Sequence, residues 1–103
     1  MKIRVTAKNY PQEVLRSETP VLVEFFAVWC GKCAMMEDVL DEIEKEYDGR
    51  VKVCHIEIEE SAVLAAEFEV GIVPAFVVFR DGKPVNYANG VLAKDVLIRM
   101  LEI

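Results

Sequence analysis

The sequence predicts an α/β fold, a central mixed β-sheet of about five strands flanked on both faces by about four helices. Strand-like and helix-like apolar patterns alternate along the chain in the order β-α-β-α-β-α-β-β-α. The run 21–28 is apolar on both parities, as in a strand covered on both faces. Asp81-Gly82 is a strong two-residue hairpin signal, so the last two strands should be antiparallel. Early strands joined through helices should pair in parallel through right-handed crossovers.

Residues 3–6 can form the first strand, and Asn9 and Gln12 have the spacing of a capping box opening a helix over about 11–17. The second strand, 21–28, is rich in β-branched and aromatic residues and is broken only by Glu24. From Cys30 to about Asp48, Met36, Val39, Leu40, Ile43 and Tyr47 recur at helical spacing, which predicts one long amphipathic helix ended by Gly49. A third strand covers 51–58, and Ser61 can cap a short helix to about Phe68. Gly71-Ile72-Val73-Pro74 is a loop, 75–80 and about 84–89 are the hairpin strands, and Val96, Leu97, Met100 and Leu101 mark a last helix.

Hydrophobic residues make up 53% of the 103 positions and charged residues 29%, a mixture that buries a core and keeps a wet surface. Residues 1–103 are therefore expected to form a single domain. The longest apolar stretches, around 21–28 and 70–79, are interrupted by Glu24 and Pro74 and are too short to span a bilayer, so no membrane partner is expected. A net charge of −6 repels a phosphate backbone, which argues against nucleic acid. Residues 1–6 carry charges but no apolar export core, and the expected location is cytoplasmic.

Three cysteines in such a chain do not make a secreted disulfide framework. Trp29-Cys30-Gly31-Lys32-Cys33 lies where a buried strand gives way to a helix. Unpaired N–H groups and the positive end of the helix dipole there favour the Cys30 thiolate, the nucleophile of disulfide exchange. Cys33, one turn further in, should be more shielded and can resolve a mixed disulfide. An inert or metal-binding C-x-x-C is the alternative. Zinc takes four ligands, however, and Cys54 and His55, adjacent on a strand, should point to opposite faces, so no metal site is expected.

The segment Val23-Glu24-Phe25-Phe26-Ala27-Val28-Trp29-Cys30-Gly31-Lys32-Cys33 resembles the active-site segment of the thioredoxin family. Val73-Pro74 resembles that family's cis-proline loop, Asp81-Gly82 its hairpin turn, and Asn89-Gly90-Val91 the glycine flanking its substrate groove. The resemblance extends over nearly the whole chain and implies the thioredoxin fold. It also implies a reaction in which Cys30 attacks a substrate disulfide and Cys33 displaces the reduced substrate. No bound cofactor is implied. The implied partners are a flavoprotein of the thioredoxin-reductase type and disulfide-containing client proteins, met by a monomer.

Glu24 is the one charge inside the second strand, and burial there should raise its pKa. The resemblance makes it the acceptor or relay of the Cys33 proton, although the family usually has aspartate; an edge position in solvent is the alternative. His55 matches a position where the family often has lysine, and a Glu24–His55 pair would couple two groups titrating near neutrality. A core histidine with satisfied hydrogen bonds is the competing reading. Lys32 replaces the family's most common residue there, proline, and should make the couple more oxidising unless solvent screens it. By resemblance Trp29, Gly31, Lys32, Val73, Pro74, Gly90 and Val91 form a shallow, mostly apolar substrate groove. For Trp29 ordinary packing is the alternative. Cys54 reads as a buried small hydrophobe, and Asp38, where many relatives carry a kinking proline, suggests a straighter helix.

The expected function is thiol–disulfide oxidoreductase, reducing protein disulfides through Cys30 and Cys33. Two alternatives stay open. One is a disulfide oxidant or isomerase, favoured by Lys32 but disfavoured by the missing export signal. The other is a non-catalytic binding module of the same fold.

Overall fold

Residues 2–103 are described by the computed structural model. Five strands form one mixed sheet: β1 (Ile3–Arg4), β2 (Val21–Phe26), β3 (Lys52–Glu57), β4 (Ala75–Arg80) and β5 (Lys83–Asn89), in the spatial order β1-β3-β2-β4-β5. β3 pairs in parallel with both β1 and β2, while β4 runs antiparallel to β2 and to β5. The helices are α1 (Gly31–Met35), α2 (Glu37–Glu46), α3 (Ala62–Glu67) and α4 (Lys94–Leu101), with a π-type turn over Pro11–Leu15.

The two parities of β2 explain why its sequence is apolar throughout. Leu22 packs with Leu40, Ile43, Phe76, Leu97 and Leu101 beneath α2 and α4. Val21, Val23 and Phe25 face the other way, against Val14, Leu64, Ala65 and Phe79. Each fully buried Leu or Phe in these layers contributes about 2–3 kcal/mol from the water it sheds. Glu24, on the α2 side of β2, is the one charged residue of that strand and is only 3% exposed.

The β4–β5 hairpin turns on Asp81 and Gly82, both at positive φ (54° and 77°), as a two-residue turn of the mirror-image type requires. Gly82 is also forced by space, because a Cβ there would lie 2.7 Å from the Leu15 carbonyl oxygen.

Several local expectations are corrected. The long helix from Cys30 is broken in two at buried Met36, whose N–H turns back to the Cys33 carbonyl (3.0 Å) in a tighter, i−3 bond. Replacing a proline by Asp38 therefore does not straighten it; the break lies at Met36, and Asp38 sits in the first turn of α2. The Asn9 side chain makes no capping box. It accepts from the Thr6 N–H (2.8 Å) and donates to the Arg4 carbonyl (3.0 Å), tying the turn after β1. The segment after it widens so that the Arg16 N–H reaches the Pro11 carbonyl (2.9 Å), and it ends at Leu15. Ser61 stands at the start of α3 without capping it, since its buried Oγ has no hydrogen-bond partner among the described residues. β1 is shorter than expected, but Val5 still donates to the His55 carbonyl (2.9 Å).

Sheet register brings three distant segments to one end of the molecule. Phe25, near the end of β2, pairs with Ala75 at the start of β4, and Ala75 pairs with Asn89 at the end of β5. The loops holding Cys30, Val73-Pro74 and Gly90-Val91 therefore meet there.

Candidate active site

Cys30 occupies the N-cap of α1 with extended backbone (φ −94°, ψ 106°). It forms a disulfide with Cys33, their Cα atoms 5.3 Å apart. The Cys33 backbone N–H points at Cys30 Sγ (3.1 Å), and an N–H so directed stabilises negative charge on that sulfur once the bridge is reduced. Cys30 is half-buried, whereas Cys33 is 4% exposed. A client disulfide can approach the first sulfur and not the second, which divides attack from resolution.

The Val73–Pro74 peptide bond is cis, as the resemblance implied, and the Val73 carbonyl oxygen lies 3.8 Å from Cys30 Sγ. Gly90 follows at φ +94°, its N–H donated to the Pro74 carbonyl (2.8 Å), so the third loop is pinned to the second. Trp29 is 67% exposed; it is not packed into the core. Gly31, Lys32 and Val91 are exposed too, while Pro74 is buried between half-buried Val73 and fully buried Ala75. Val28, Met35 and Ile72 are large exposed apolar residues beside Cys30, Cys33 and Val73 in the chain that the sequence reading did not single out. The sequence places Val28 inside the second strand, which instead ends at Phe26; Met35 is not among the buried residues of α1, and Ile72 lies in the loop before β4.

Glu24 and both cysteines line one cavity of about 220 Å³ together with Ala34 and Glu37. Burial pushes the Glu24 carboxyl up to about 7, with Lys2 acting against that rise and Glu37 adding to it. Its Oε2 has no hydrogen-bond partner among the described residues. His55 is the register partner of Glu24 on β3, half-buried, its ring 5.2 Å from that of Phe26. Burial, then Lys2 and Arg4, hold its pKa below the usual imidazole value. It lines a neighbouring cleft with Lys2 and Asp41 and is absent from the lining of the cysteine cavity.

Cys54 belongs to the core layer on the opposite face of the sheet, fully buried, with its thiol pushed up to about 12 by desolvation. It cannot join His55 around an ion, and no cluster of three or more His, Cys, Asp or Glu suited to a metal occurs among the described residues. No helix among them is long and apolar enough to cross a membrane.

A family model described as Thioredoxin matches residues 1–103. The chain belongs to the thioredoxin family. It is 37% identical over 99 residues to Thioredoxin 1 of Nostoc sp., a match covering 96% of this chain and 92% of that protein. With the thioredoxin of Pseudomonas aeruginosa it shares 36% identity over 100 residues, covering 97% and 93% respectively. With Thioredoxin M5, chloroplastic, of Oryza sativa subsp. japonica the identity is 37% over 95 residues, 92% of this chain and 55% of that one. This thioredoxin-family chain is a thiol–disulfide oxidoreductase that reduces protein disulfides by dithiol–disulfide exchange through Cys30 and Cys33.

Proposed function

We propose that the buried acid Glu24 serves the exchange as proton acceptor for Cys33, in a cytoplasmic, single-domain monomer fed by a flavoprotein of the thioredoxin-reductase type. The observation that carries the reading is the cavity shared by Glu24, Cys30 and Cys33. The Cys30 thiolate attacks one sulfur of the client disulfide. That S–S bond breaks, one client sulfur leaves as a thiolate and takes up a proton, and the other stays bound to Cys30. Glu24 then accepts the Cys33 proton as that sulfur attacks Cys30 Sγ, releasing the second client sulfur, to which the proton passes. The client gains two electrons and two protons, and the Cys30–Cys33 bridge is left for the reductase to reopen. A carboxyl titrating at about 7 is suited to take and return a proton near neutral pH.

Trp29, Gly31, Lys32, the Val73-Pro74 loop and Gly90-Val91 hold the client, with the Val73 backbone pairing to an extended segment as an added strand. His55, one strand over from Glu24, tunes that carboxyl. The test is reduction of an insulin-type disulfide by the wild type, Cys30→Ser, Cys33→Ser and Glu24→Gln. Cys30→Ser should lose all activity, Cys33→Ser should accumulate client-linked adducts, and Glu24→Gln should slow resolution by about 10-fold or more and lose the inflection near neutrality. A Glu24→Gln profile that follows the wild type would remove Glu24 from the reaction. His55→Lys should shift that inflection, and an unchanged profile would remove His55. Supplying NADPH-linked and ferredoxin-linked reductases in turn identifies the electron source.

A further inference from the structure

Lys2, just ahead of β1, is unusually covered for a lysine, its side chain only 11% exposed. Its Nζ lies 3.2 Å from Asp41 Oδ1 and 4.0 Å from Glu37 Oε1, both on α2. It lines the cleft of His55, while Glu37 lines the cavity of Glu24, Cys30 and Cys33. The Lys2–Glu37 contact therefore joins the two hollows on this face of the sheet. A covered ammonium group requires carboxylate partners, and here one of those partners also lines the cavity of the reacting sulfurs.

We propose that Lys2 is a positioning residue for the exchange reaction, its ammonium group acting on Glu24 and His55 from the β1 side while Glu37, in the lining of the cysteine cavity, opposes it. This rests on the reading of Glu24 as the proton acceptor. Glu24 has His55 beside it on β3, Lys2 on the β1 side, and Glu37 of α2 with the Cys30–Cys33 bridge in its cavity; His55 has Lys2 and Arg4 on the β1 side, Glu37, and across its cleft Asp41, Glu44 and Lys45 of α2 with Asp48 just beyond. β4 offers only Phe76 opposite Glu24. A cation favours both the ionised carboxylate and the neutral imidazole, and an anion favours the reverse. Lys2 accordingly lowers both Glu24 and His55, and Glu37 raises both.

The mirror-image signs make the experiment. Lys2→Gln, Lys2→Arg and Glu37→Gln are made in the full chain; in the oxidised protein His55 is titrated by proton NMR and Glu24 by carbon NMR of its carboxyl. Turnover of the insulin-type disulfide is followed against pH in each variant and in Glu24→Gln. In Lys2→Gln both groups should titrate higher, by about half a pH unit or more. In Glu37→Gln both should titrate lower, Lys2→Arg should stay near the wild type, and the turnover midpoint should move with Glu24. Titrations unmoved in Lys2→Gln, or moved in the same direction by Lys2→Gln and Glu37→Gln, would overturn the role of Lys2 even where Glu24→Gln abolishes the inflection. A Glu24→Gln profile that keeps the inflection marks failure of the acceptor reading instead, and titrations that shift under a fixed turnover midpoint overturn the part of Lys2 in exchange.

Discussion

Replacing Glu24 by Gln should abolish the pH dependence that this one side chain imposes on stability. The carboxyl ordinarily titrates at 4.5 and is pushed by burial to about 7 in the folded chain. Because the folded value is raised, the stability carried by the protonated acid is fully present below about 4.5 and is lost as pH rises through about 7. At about 1.4 kcal/mol per pH unit, the loss amounts to about 3 kcal/mol, a large share of the about 5–15 kcal/mol that holds a domain together. Gln keeps the shape and the buried polarity but cannot ionise. Its amide carries a cost of its own in this place, constant with pH, so the informative quantity is the difference between variant and wild type along the pH axis. Guanidinium unfolding of both oxidised proteins from about pH 4 to about pH 9 measures it. The variant should gain on the wild type by about 3 kcal/mol between the ends of that range, with most of the change below neutrality. Parallel curves would refute the claim that Glu24 is neutralised by burial.

Gly82→Ala should cost about 2 kcal/mol or more, since it adds both a positive-φ penalty and a clash with the Leu15 carbonyl; Gly49→Ala, at φ +81° with open space around it, should cost about 1 kcal/mol, and equal losses in thermal unfolding would contradict the contact. Cys54 should be silent to a thiol reagent in the folded oxidised protein and react once per chain after denaturation, slowed by about 100-fold or more when folded; prompt labelling would contradict its burial. Lys32→Pro should make the couple more reducing by about 10–30 mV in equilibrium with glutathione, the low end reflecting the solvent around an exposed cation, and the opposite order would refute the electrostatic argument.

The fold was legible because its signals are local and redundant. The apolar run of β2, the Asp81-Gly82 turn and the C-x-x-C at a strand-to-helix boundary each point to one arrangement, and all agree. The departures arise where a side chain has two partners to choose from. Asn9 could cap forward or reach back, and reaching back to Thr6 and Arg4 satisfied two backbone groups. Met36 fits a helical stripe, but seating it in the core while Cys33 is held beneath Cys30 costs one helical bond at that residue. The partners of Glu24 were harder still. His55 is visible as a neighbour through the family resemblance, whereas Lys2 and Glu37 converge only through packing of α2 beside β1, which no spacing in the chain encodes.

The antiparallel pairing of β4 with β2 has a consequence for the newly made chain. Cys30 and Cys33 are neighbours from the moment of synthesis, but the Val73 carbonyl arrives only when residues 75–79 have zipped onto 21–25, and Gly90 only after the hairpin closes on them. Until then the two sulfurs are ordinary thiols in a loose polypeptide. Reactivity here belongs to the finished sheet, so a truncated or half-made copy has the nucleophile and lacks the surface on which a client could be bound.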